Sequence, residues 1–170
     1  HPVTLENKTS QKYFQALLNV LHDLEDVYLI FTMPNADLDG RIIKQMIDEF
    51  VSGHDQRSIV FTSMGHLNYL SALQFVDGVV GNSSSGLAEA PTFKIGTINI
   101  GDRQRGRLKA KSVIDCEPTK ESIQNAVDVL YSEEFRKTLP SVINPYGEGS
   151  ATKKIMDVLN NELLPEDPKK

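Results

Sequence analysis

The sequence predicts a single α/β domain built on a parallel, doubly wound sheet. Three observations predict it. Short, mostly apolar runs suited to strands covered on both faces alternate with one-faced helical patterns along nearly the whole chain. A length of 170 residues with 39% hydrophobic content suits one well-buried core rather than two. There is no internal repeat and no internal linker that would divide it.

Each element follows from local spacing. Between Thr9 and Leu24, the residues Tyr13, Phe14, Leu17, Leu18, Leu21 and Leu24 recur three to four apart, the helical period. Leu38, Ile42, Ile43, Met46, Ile47 and Phe50 repeat that spacing in a second helix. The runs Val27 to Phe31, Ile59 to Phe61, Val76 to Val80, Thr97 to Ile100 and Val113-Ile114 are the expected strands. Further helices are expected at His66 to Phe75, Ser85 to Ala90, Thr119 to Tyr131 and Ala151 to Leu163. Pro91 should end the short helix after the serines, and Pro118 should open a turn before the next. Residues 1–164 thus make the domain, and 165–170 a polar tail expected to fray.

Composition narrows the function classes. A net charge of -5 and a pI near 5.4 exclude a backbone-reading nucleic-acid binder, which needs clustered Lys and Arg, so any anion site must be local. The lone Cys116 excludes an internal disulfide framework and fits a reducing, cytoplasmic compartment. No apolar run approaches the roughly 18 residues of a membrane span, and no signal-peptide pattern opens the chain. His1-Pro2-Val3-Thr4 reads like the end of a strand whose earlier residues lie upstream.

In doubly wound sheets ligands sit outside the carboxyl ends of the strands, so the loops after Phe31, Phe61, Val80 and Ile100 carry the functional expectation. After Val80 comes Gly81-Asn82-Ser83-Ser84-Ser85-Gly86, a Gly/Ser turn feeding a helix start. Free backbone amides, the helix dipole and the hydroxyls of Ser83, Ser84 and Ser85 suit a phosphate there, unless the serines merely cap the helix. Glu89 lies four residues after Ser85, one more than a capping box requires, which leaves its carboxylate available to a ribose diol. The loop after Ile100 carries Arg103, Arg105 and Arg107 on alternate residues, which an extended chain would send to one side. Guanidinium planes match a diphosphate, although a solvated basic loop is the plainer alternative.

Asn35-Ala36-Asp37-Leu38-Asp39-Gly40 imitates a calcium loop but puts Met46 where a bidentate Glu is needed. Asp37 or Asp39 is read as a helix cap, and Asn35, at a strand end, as a sugar or nucleotide contact. His66, beside the strand end at Phe61, could stack on a base or serve the local helix start. His22 and His54 read as structural or solvated, and no His pairs with acids at metal-ligand spacing, so neither a metal nor a cofactor is expected.

Together, His1-Pro2-Val3-Thr4, Pro34 to Asp37, Gly81 to Pro91, Ile98 to Arg107 and Asn144-Pro145-Tyr146-Gly147-Glu148-Gly149 resemble the C-terminal half of hydrolysing UDP-N-acetylglucosamine (UDP-GlcNAc) 2-epimerases of sialic acid synthesis. The resemblance covers nearly the whole chain. It implies half of a glycosyltransferase-B-type fold, with Ser83 and Ser84 on the diphosphate, Glu89 on the ribose, Arg103 on the nucleotide's charge, and the strand end from Phe61 to His66 on the uracil. It places Asn35 on the nucleotide and makes His1 the family's interdomain histidine, the one catalytic candidate of this chain. The partners it implies are UDP, UDP-GlcNAc and an N-terminal domain carrying most catalytic carboxylates, with homo-oligomers at full length. The chain alone is then expected to bind UDP without turnover. Two rivals remain open: the donor half of a nucleotide-sugar glycosyltransferase, and a non-catalytic nucleotide-sensing module.

Overall fold

A computed structural model of the chain describes residues 9–33, 38–147 and 149–161. His1, Asn35, Asp37 and the tail expected at 165–170 lie outside the described residues. Helix α1 (Thr9–Asp23) buries Leu17, Leu18 and Leu21 of the predicted stripe and also Val20, which the stripe omits, while Tyr13 is exposed. Strand β1 (Leu29–Thr32) and helix α2 (Leu38–Gly53) follow, with Ile43, Met46 and Ile47 buried against Leu18. The chain continues through β2 (Ser58–Phe61), α3 (Gly65–Ala72), β3 (Gly78–Gly81) and a single-turn α4 (Ser85–Ala88). It closes with β4 (Gly96–Ile100), β5 (Val113–Cys116), α5 (Lys120–Tyr131), α6 (Glu133–Thr138) and α7 (Ala151–Asn161).

All strand pairing is parallel, as the alternation of strand and helix requires. The strands form two groups, β1-β2 and β3-β4-β5, rather than one ladder. β1 pairs β2 from Leu29↔Ser58 to Thr32↔Phe61, and β4 lies between β3 and β5. The main core packs α1 and α5 onto β4, with Val20, Ile98 and Ile123 fully buried. Among the described strands only β4 is buried along most of its length; β1 alternates half-buried with exposed residues, so two-sided cover holds for the centre of one group and not for every strand.

Two expectations are corrected. Pro91 does not stop a helix; it occupies the first turn of a 3-10 helix (Ala90–Phe93), where its missing N–H is harmless. α6 has no counterpart in the sequence reading, because six residues are too few for a helical period; it is set by Ser132, whose hydroxyl accepts the Phe135 amide at 3.2 Å. The structural reading of His22 and His54 fits their geometry. His54 Nδ1 donates to the Phe50 carbonyl at 2.8 Å, which leaves Nε2 to accept from His22 Nδ1 at 2.8 Å.

Candidate functional site

The carboxyl ends of β3 and β4 bring the serine turn and the arginine loop together. β3 ends at Gly81, and Asn82-Ser83-Ser84 leads into α4 with Ser84 as N-cap. The Ser84 side chain makes no capping hydrogen bond and is exposed, so the helix does not consume that hydroxyl. Ser83 Oγ accepts the Ser85 amide at 3.4 Å, and Ser85 Oγ is hydrogen-bonded to the Tyr69 hydroxyl of α3. Leu87 and Ala88 donate the first helical amides, both to the Ser84 carbonyl. α4 is one turn long, which corrects the expected dipole contribution: the macrodipole sums over aligned peptides, and here few are aligned. What the turn offers an anion is hydroxyls and leading amides.

The arginine loop is not extended, and this overturns the one-sided alternation. Gly101 and Gly106, at φ 73° and 77°, bend the chain around a 3-10 turn at Asp102–Gln104. Arg105 N donates to the Asp102 carbonyl at 2.9 Å, and Arg107 N to the Gln104 carbonyl at 3.3 Å. All three arginines are exposed, Arg105 pairing loosely with Asp102 at 3.7 Å. Gln104, between them, is only 2% exposed and donates from Nε2 to the Asn82 carbonyl at 2.7 Å. This bond clamps the arginine loop to the serine turn.

Glu89 follows α4 as its C-cap and is half-buried. Burial pushes the Tyr69 hydroxyl up from its usual range; the bond to Ser85 partly offsets this, and the charge of Glu89 adds to it. Glu89, Tyr69 and Ser85 therefore share one microenvironment. Phe61 ends β2 half-exposed, and His66 is exposed on the first turn of α3, one turn before Tyr69 on the same helical side. α3 thus connects the two ends of the candidate site. Asn144 fastens it from behind, donating from Nδ2 to the Ala88 carbonyl and to Thr92 Oγ1, both at 2.8 Å, and accepting the Tyr146 amide at 2.9 Å.

Tyr69, Gln104 and Asn144 are absent from the sequence-based candidates. Tyr69 is hidden in a helical repeat and Gln104 in a basic run; only contacts across the fold reveal them. Cys116 is no nucleophile candidate, since burial, with the charges of Asp115 and Glu117, pushes its thiol up to about 11. A cavity of about 990 Å³ runs between β1 and β3 and reaches Asn82, Ser83, Gly101 and Asp102 at its carboxyl end.

A parallel α/β unit with a hydroxyl-rich turn at the carboxyl ends of its strands belongs to the doubly wound class, in which ligands sit at those ends. The family model described as UDP-N-acetylglucosamine 2-epimerase matches residues 1–160, and the chain belongs to that family. Among curated relatives, the chain is 39% identical over 137 residues to GDP/UDP-N,N'-diacetylbacillosamine 2-epimerase (hydrolyzing) of Campylobacter jejuni, covering 81% of this chain and 35% of the relative. It is 34% identical over 152 residues to polysialic acid biosynthesis protein P7 of Escherichia coli, covering 89% and 38%. The chain therefore spans little more than a third of these relatives. The fold is shared with Methanocaldococcus jannaschii UDP-GlcNAc 2-epimerase in complex with UDP-GlcNAc and UDP, at TM-score 0.71 and 15% identity over 95% of this chain and 44% of that one. The S. aureus MnaA-UDP co-structure matches at TM-score 0.71 and 16% identity, over 92% and 41%. Among the described residues, no helix is long and apolar enough to cross a membrane.

Proposed function

We propose that this chain is the UDP-binding, C-terminal half of a hydrolysing UDP-GlcNAc 2-epimerase. The carrying observation is the 2.7 Å bond from Gln104 to the Asn82 carbonyl, which holds Arg103 and its loop beside the serine turn. Ser83 and Ser84 receive the diphosphate, Arg103 balances its charge, and Glu89 takes the ribose diol. Phe61 and His66 bound the uracil end. The resemblance assigns Asn35 to the nucleotide and His1 to the interdomain histidine's role, and both lie outside the described residues. The whole enzyme eliminates UDP to leave a 2-acetamidoglucal and adds water to release N-acetylmannosamine, in the cytoplasm and as a homo-oligomer. This half supplies leaving-group stabilisation by preorganised donors, while the proton-transfer carboxylates come from the N-terminal domain.

The Campylobacter relative favours a second reading of the sugar, a diacetylbacillosamine, and of the base, since its name includes GDP. Calorimetry with UDP, UDP-GlcNAc and GDP decides the base. Ser84→Ala and Arg103→Ala are each expected to weaken UDP binding by about 1–3 kcal/mol, the cost of losing a hydrogen bond to a charged group. Unchanged affinity in both variants would move the diphosphate elsewhere. N-acetylmannosamine and UDP release without an acceptor, measured on a protein that includes the upstream domain, separates this function from a glycosyltransferase or a sensing module.

A further inference from the structure

A hydrogen bond between the Tyr69 hydroxyl and Ser85 Oγ joins α3 to the start of α4. Packing fixes where that hydroxyl stands, because the Tyr69 ring lies against the buried Leu73, Ala90 and Ile95. Ser85 is held from two further sides. Its amide donates to Ser83 Oγ at 3.4 Å, and the residue after it is tied down by Thr97 Oγ1, which donates to the Gly86 carbonyl at 2.8 Å. The two hydroxyls therefore meet because the fold brings them together, not because either side chain is free to search for a partner.

Acidity sets the direction of this bond. A phenol is a stronger acid than an alkanol, and its oxygen is the poorer acceptor because the ring draws on its lone pair, so Tyr69 donates and Ser85 accepts. Burial, with the charge of Glu89 and against the bond to Ser85, raises the Tyr69 hydroxyl above its ordinary value of 10.0, so it keeps the proton that it donates. A serine oxygen that accepts one bond still carries its own O–H. Ser85 is only half-buried and follows the exposed Ser84, which leaves that O–H the open side of the turn. Accepting from Tyr69 also polarises it, because hydrogen bonds in a chain strengthen one another.

We propose that Tyr69 is a positioning residue for the diphosphate: by donating to Ser85 it presents the Ser85 hydroxyl as a further donor beside Ser83 and Ser84. No proton is transferred; Tyr69 orients and polarises. A polarised donor gains most from a charged acceptor, so its effect falls on the diphosphate and grows as the departing group takes up negative charge. An uncharged nucleoside does not engage it. The inference rests on the UDP reading and extends it to a residue of another helix.

NMR titrations of the parent chain, Tyr69→Phe, Ser85→Ala and the double variant with UDP and with uridine test it. Tyr69→Phe keeps the ring on its apolar neighbours and removes only the hydroxyl. Each single variant is expected to weaken UDP binding about five- to tenfold, the loss of one hydrogen bond to a charged group, and to leave uridine binding as in the parent. The double variant is expected to bind UDP no more weakly than Ser85→Ala alone, because Tyr69 acts through Ser85. A residue that only supports the fold would weaken both ligands, and its loss would multiply with that of Ser85→Ala; either result overturns the positioning role. Unchanged UDP affinity in Tyr69→Phe overturns this inference alone, whereas a parent chain that binds no UDP overturns the UDP reading and this inference with it.

Discussion

At residue scale, the serine turn depends on a glycine for packing rather than for φ. A Cβ on Gly86 would stand 2.5 Å from Thr97 Cγ2. Thr97 is 2% exposed, its χ1 is stiff because it is β-branched, and its Oγ1 is engaged by donating to the Gly86 carbonyl at 2.8 Å. Relief by rotation would break that bond, so Gly86→Ala is expected to destabilise the chain by about 1–3 kcal/mol in urea unfolding. Asp115 makes a second single-residue case. Burial works against its charge, but hydrogen bonds from Lys109 at 2.7 Å and Asn99 at 2.7 Å, with the charge of Lys109, hold its carboxyl below the ordinary value of 3.8. A carboxylate lowered on folding stabilises the protein above its unfolded pKa and loses that contribution as pH falls through the folded one. Asp115→Asn should therefore leave a shallower decline in stability below about pH 4, seen in thermal melts from pH 6 to 2. Because the Asp115 side chain is 55% exposed, the difference should stay under about 1 kcal/mol.

At element scale, helices with a full apolar stripe were readable from spacing to within a few residues, as α1, α2 and α5 show. Strands were readable as runs but not in their grouping, since nothing local in Val27 to Phe31 announces that one of its edges borders a gap. The serine turn could be located because Gly and Ser cluster after an apolar strand. The shape of the arginine loop could not, because Gln104 is drawn inward by a carbonyl 22 residues earlier in the chain. Asn144 shows the same limit: a Pro/Gly-rich segment reads as a turn, while its hold on α4 depends on contacts 56 and 52 residues away. With three hydrogen bonds at 7% exposure, Asn144→Ala should cost about 2–3 kcal/mol. Amide exchange at Leu87, Ala88 and Tyr146 should rise more than in α1 if the loss is local, and a uniform rise would contradict a fastening role.

At the scale of the whole molecule, stability and surface are carried by different elements. The core joins α1 and α5 over β4, and Ile123 sits at its centre with no exposed area. α7 is helical through Asn161, yet none of its residues is buried, and Ile155, Met156, Val158 and Leu159 make an apolar stripe that touches no core. Those side chains lose little water on folding, so the hydrophobic term assigns them little of the folding free energy. Ile123→Ala should therefore cost about 2–5 kcal/mol, through lost transfer energy and the cavity left behind. The pair Ile155→Lys and Leu159→Lys should each leave the urea midpoint within about 0.5 kcal/mol of the parent. A large loss from either lysine would mean that α7 packs on the domain in solution, and the division between a stabilising core and an uncommitted apolar helix would then have to be redrawn.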